Sequence, residues 1–133
     1  MTGLALIFAV AALAPAPAPS APAAPAAEID FTGRTTADAG LIWDAMQEVS
    51  RFSAWRLKCH RLTAVKASIQ PEGWQPPNPN FRIAPSGARY ERWDVAQCDR
   101  VVPFLIAFWG PEGKKEFQVA HPFPGEPEAA PRP

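Results

Sequence analysis

Apolar residues recur along this chain with two different periods. In TTADAGLIWDAMQEVSRF, Leu41, Ile42, Ala45, Met46 and Val49 fall at helical spacing, while Asp44, Gln47 and Glu48 take the opposite side. With Thr36 or Thr35 as N-cap and Asp38 near the positive end, this spacing predicts an amphipathic core helix over 37–50, with Trp43 bordering the apolar stripe. Elsewhere the period is two. EIDFTGRT reads as a short edge strand at 29–32. In AWRLKCHRLTAVKASI, Leu57, Cys59, Arg61 and Thr63 alternate with His60, Leu62 and Ala64, which predicts one strand, or two short ones, within 56–69. YERWDVAQCDRVVPFLIAFW holds two strand-like runs, 90–97 and 100–109, parted by Cys98 and Asp99, and reads as an antiparallel hairpin. Trp93 and Val95 share a face of the first run. The second is apolar on both faces, with Val102, Phe104, Ile106 and Phe108 opposite Leu105 and Ala107, so it is expected to lie centrally. After the turn GPEGKK, EFQVA offers a further strand with Phe117 and Val119 on one side. The expected fold class is α+β: a small antiparallel meander of three to five strands with one packed amphipathic helix and a single disulfide.

Proline marks what lies outside this pattern. PEGWQPPNPN has four prolines and a glycine in ten residues and is expected to be a long exposed loop carrying Trp74. A tryptophan there either projects as a binding residue or folds back over the core, and Trp74 is kept as a candidate for binding. HPFPGEPEAAPRP, with five prolines in 13 residues, reads as a disordered tail over 121–133. At the other end, LALIFAVAALA is an uncharged apolar run of 11 residues, too short for a bilayer and suited to the h-region of a secretory signal. Residues 1–26 are therefore read as signal and Pro/Ala-rich cleavage region, with cutting after Ala23 or Ala26, where no proline follows. No Lys or Arg precedes the apolar run, so a basic flank would have to come from upstream of Met1. No cysteine lies near the cleavage region to carry a lipid, and no stable membrane anchor is expected after cleavage. One domain over 28–120 remains.

Export changes the meaning of the two cysteines, because thiols in an oxidising compartment pair and an even count leaves none over. Cys59 to Cys98 is the expected bridge. Two sharper roles compete with it. A Cys59/His60 catalytic pair is disfavoured because neighbours on a strand point to opposite faces. Cys59, His60, Cys98 and His121 could be counted as zinc ligands, yet the spacing has no paired CxxC or HxxxH element. Neither a metal nor a cofactor is expected.

Charge adds a surface to this picture. The chain balances 13 basic against 13 acidic residues, but 28–50 carries net minus four and 51–100 net plus five. Arg51, Arg56, Lys58, Arg61 and Lys66, with Phe52 and Trp55 interleaved, form a basic stretch suited to a polyanion. Alternatively, the cations are a solvated strand edge that discourages aggregation. Overall neutrality argues against nucleic acid. Arg56, Lys58 and Arg61 join Trp74 as candidate binding residues.

No phosphate-cradling loop, dinucleotide fingerprint or serine nucleophile elbow occurs. Glu91 and Asp94 are a carboxylate pair, but a domain of this size has little room for a glycosidase cleft. ERWDVAQC, a Glu-X-Trp-X-Val-X-X-Cys pattern followed by VPFLI, resembles a loose group of short exported proteobacterial proteins of unassigned activity. Those proteins place glycine after the cysteine, where this chain has Asp99. The resemblance implies a periplasmic or secreted protein and no mechanism. The expected function is binding, with an envelope protein or an anionic envelope polymer as partner. An inhibitor or immunity-type protein acting on an envelope enzyme is the alternative, and a small enzyme is the third reading.

Overall fold

A computed structural model describes residues 28–77 and 84–133. The expected signal and cleavage region, 1–26, and the end of the proline-rich loop lie outside the described residues. The elements run β1 (Asp30–Gly33), α1 (Ala39–Arg56), β2 (Leu62–Ile69), β3 (Arg89–Gln97), β4 (Arg100–Trp109) and β5 (Glu116–Ala120). They form one five-stranded sheet in chain order, with α1 on one face, which is the α+β architecture the periodicity predicts.

From β2 to β5 the sheet is an antiparallel meander. β1 departs from it by pairing parallel to β2, because the 18-residue α1 lies between them and carries the chain back to the starting end. Gly33 closes β1 with φ +90°, and a Cβ there would collide with the carbonyl oxygen of Ala67. Only glycine lets the two strands approach so closely.

The helix starts two residues later and ends six later than its apolar spacing predicts. Asp38, not Thr35 or Thr36, is the N-cap, its carboxylate accepting the Leu41 N–H at 2.9 Å. At the other end the buried stripe continues from Val49 to Ser53 and Leu57, and a serine in that stripe masks it as polar. Lys58, at φ 55°, then turns the chain. The expected strand over 56–69 is shortened accordingly to β2, with Arg56 on the helix and Lys58 to Arg61 in a connection.

Two apolar layers result. The helix-facing layer joins Leu41, Ala45, Met46 and Val49 to Val65, Trp93, Val95, Val102, Phe104 and Ile106. On the reverse face Tyr90, Leu105, Ala107, Ala84 and Phe123 form a smaller cluster. β4 contributes to both, as its two apolar faces require. The proline-rich segment 121–133, read from composition as a disordered tail, packs against the fold: Phe123 is buried and its N–H donates to the Pro103 carbonyl at 3.0 Å. Phe123, the His121 ring against Phe52 and Phe104, and the Arg132 N–H to the Leu57 carbonyl together offset a composition that otherwise favours solvent.

Candidate functional site

Gln97 and Arg100 pair directly across the β3–β4 turn, leaving Cys98 and Asp99 as a two-residue loop with φ 45° and 64°. Two positive φ values are what a tight type I′ hairpin demands, and Asp99 meets that requirement where glycine would be the easier choice. Cys98 bonds to Cys59 across 39 residues of sequence, with Cα atoms 6.1 Å apart. Around the bridge, the Cys98 N–H donates to the Arg61 carbonyl at 3.2 Å and the Cys59 N–H to the Ser53 carbonyl at 2.9 Å. The C-terminal segment joins here as well, the Arg132 N–H reaching the Leu57 carbonyl at 3.0 Å.

This knot gathers charge. Arg56, Lys58 and Arg61 are exposed, and Arg100 and Arg132 arrive from the hairpin and the C-terminal segment. A cavity of about 510 Å³ is lined by Arg61, Gln97, Asp99, Arg100 and Arg132. A second, of about 530 Å³, is lined by Phe52, Trp55, Arg56, Lys58, His121 and Glu128. Trp55 stands 76% exposed at its edge. Across the two cavities, five basic side chains face Asp99 and Glu128, an excess of three positive charges. Arg132 and Asp99 approach only to 3.9 Å, and Asp99 is almost wholly in solvent, so that contact neutralises little.

Beneath the charged end lies a polar interior. Ser53 is 0% and Gln97 1% exposed, and neither the hydroxyl nor the amide has a hydrogen-bond partner among the described residues. Nε and Nη2 of Arg100 and Nε2 of His121 are buried without partners too. The His121 ring packs between Phe52 and Phe104, at 5.1 and 5.3 Å between centroids. Burial pushes this imidazole below its ordinary range; Glu128 opposes the shift and Arg100 adds to it.

The remaining sequence candidates are separated from this end. Trp74 does not project: it stacks on Phe123 at 5.7 Å and meets Tyr90 edge-on at 5.4 Å, covering the reverse-face cluster. Glu91 and Asp94 lie on opposite faces of β3, so they do not face one cleft. Asp94 pairs with Arg92 at 2.9 Å. Glu91 is fully buried, its Oε1 accepting from the Thr36 N–H at 2.6 Å and from both the Thr35 and Thr36 hydroxyls at 3.0 Å. With both sulfurs committed to the bridge, Cys59 and Cys98 are not available as thiolates, and the four-residue zinc set is not assembled. Among the described residues, no group of three or more His, Cys, Asp or Glu is placed to hold a metal ion.

Arg100 and Arg132 escaped the sequence reading because neither lies in a basic run. The signal that could have placed Arg100 is its position two residues after Cys98: once the bridge is expected, everything beside one cysteine is brought near everything beside the other. No family model matches this chain, and neither does any curated protein or solved structure.

Proposed function

We propose that this protein is an exported binding domain whose disulfide end attaches weakly to an anionic polymer of the cell envelope. The bridge fits an oxidising compartment, the environment that exported chains meet. No helix among the described residues is long and apolar enough to cross a membrane. The observation that carries the reading is the convergence of Arg56, Lys58, Arg61, Arg100 and Arg132 from separate segments onto two adjoining cavities. Arg51, by contrast, is held by Glu48 at 2.8 Å on the helix surface, and Lys66 stands away on β2. A polyanion requires cations spread over an accessible surface, with an aromatic face available for contact, and Trp55 supplies that face. The resemblance of ERWDVAQC to short exported proteins agrees with this location.

The attachment is electrostatic and few-charged, so it is salt-sensitive. On immobilised heparin at low salt, the oxidised domain is retained and released below about half-molar salt, where screening has shortened the reach of each charge to a few ångströms. Arg61→Ala with Arg132→Ala lowers the elution point, while Lys66→Ala leaves it nearly unchanged. Absence of retention at low salt, or equal elution of the double variant and the parent, rejects this reading.

A further inference from the structure

We infer that the apolar run 4–14 of the unprocessed chain docks in a groove between β1 and α1, and that its removal uncovers this face for apolar contact. The inference does not rest on the polymer surface described above.

The groove is a cavity of about 490 Å³ walled by Ile29 and Phe31 from β1 and by Ile42, Trp43 and Met46 from α1. β1 is the outermost strand, so no further strand among the described residues closes the groove on that side. Three large apolar side chains stand exposed in this protein: Trp43 at 66%, Trp55 at 76% and Val101 at 62%. Trp55 borders the cavity of Arg56 and Lys58, and Val101 that of Arg61 and Arg100, so both sit among cations. The groove of Trp43 is lined by no Lys or Arg, and Glu28 is the one charged residue on its rim. Such a face selects an uncharged, apolar occupant rather than an ionic one.

The chain supplies an occupant of that chemistry. LALIFAVAALA, 4–14, carries no charge. Glu28, the first described residue, lies on the rim of the groove, so the preceding chain is delivered there. Residues 15–27 are the tether, 13 residues with five prolines. Fully extended it reaches roughly 40 Å at about 3.1 Å per residue. The proline-free steps Ser20-Ala21 and Ala23-Ala24 give it places to turn back. The distance to cover is shorter: from Ala39 to Ser50, the two ends of the helical wall, α1 rises only roughly 16 Å. A tether of this kind holds its load at an effective concentration in the millimolar range, so a weak apolar contact is enough to keep the groove filled. Cleavage after Ala23 or Ala26 then leaves at most four residues ahead of Glu28, too few to lie along the groove. The cut that frees the domain from its leader thereby also exposes Trp43 and the groove beside it.

The test places the photo-crosslinking residue p-benzoylphenylalanine at position 43 of the full 133-residue chain, where the exposure of Trp43 lets it be replaced without disturbing the core. Irradiation is expected to join position 43 to a residue within 4–14 of the same chain, with a yield that does not depend on protein concentration. Binding of the uncharged apolar dye Nile red gives a second readout. The form beginning at Ala27 should bind several-fold more dye than the full chain, and Ile7→Asp with Val10→Asp in the full chain should restore the binding. If the full chain does not stay monomeric, a peptide of residues 4–14 flanked by lysines is added to the Ala27 form instead and should displace the dye saturably. Crosslinks that fall outside 4–14, equal dye binding by the full chain and the Ala27 form, or failure of the peptide to displace the dye overturns the inference. Crosslinks between two chains overturn it as well, and make a second copy the occupant.

Discussion

Glu91 fastens Trp93, its neighbour two residues along the same face of β3, by accepting the indole N–H on Oε2 at 2.8 Å. Its other oxygen receives the loop that leads into α1. One buried carboxylate therefore fixes both the largest core side chain and the entry of the helix. Glu91→Gln keeps the size but turns one oxygen into a donor facing donors on either side. The expected loss is roughly 2–4 kcal/mol of stability, the range for a broken buried charged network. Urea unfolding measures it, and a loss under about half a kcal/mol, typical of neutral surface changes, would falsify the network's role.

The disulfide is expected to act as one shared bond. Cys59→Ser and Cys98→Ser should each lower stability by about 4 kcal/mol, the chain-entropy value for a loop of this length. The double substitution should cost no more than either single one. Additive losses would mean that the cysteines stabilise the fold separately. A free thiol titrated in the native protein would remove the bridge from the account altogether.

Export predicts a new N-terminus. Mass spectrometry of the secreted or periplasmic form should place it within 24–28, since Ala21/Ala23 and Ala24/Ala26 suit a signal peptidase and no proline follows either cut. Recovery of the extracellular protein with Met1 intact would be incompatible with cleavage.

His121 sets a pH dependence. Its folded-state pKa lies below the ordinary value of about 6.5, so the unfolded chain binds the proton more readily. Stability is therefore fully present above that pH and falls as the pH is lowered through it towards the folded value. Denaturant midpoints measured from pH 7.5 down to 5.5 should decline, and His121→Phe should flatten the decline. An identical slope in the variant would assign it to other groups.

Much of this fold was legible because strands with one buried face write their alternation directly into the chain. Trp93, Val95, Phe104 and Ile106 appear at the predicted face of the predicted hairpin. Positions governed by distant contacts were not legible. Thr35 and Thr36 look like helix caps, but their hydroxyls are spent on Glu91, more than 50 positions away, and Asp38 caps instead. Ser53 hides a turn of core helix because hydropathy counts it as polar. The same distance effect governs the candidate site. Arg61 was visible in a basic stretch, whereas Arg100 and Arg132 become its neighbours only through the bridge and the bond from Arg132 to Leu57.

The parallel pairing of β1 has a consequence for assembly. The β3–β4 and β4–β5 hairpins are local, and the antiparallel β2–β3 pairing can close first at its near end, Ile69 against Glu91, and zip from there. β1 is different because a parallel register has no near end: every pair, from Asp30 with Ala64 to Gly33 with Ala67, spans the whole helix. It is also the strand immediately downstream of the expected cleavage site. The element with the highest loop-closure cost is thus the first to emerge, and its docking has to wait for the chain that follows. Such an arrangement delays completion of the sheet until synthesis has delivered β2, so the leading end stays unpaired for as long as α1 and β2 are still to come.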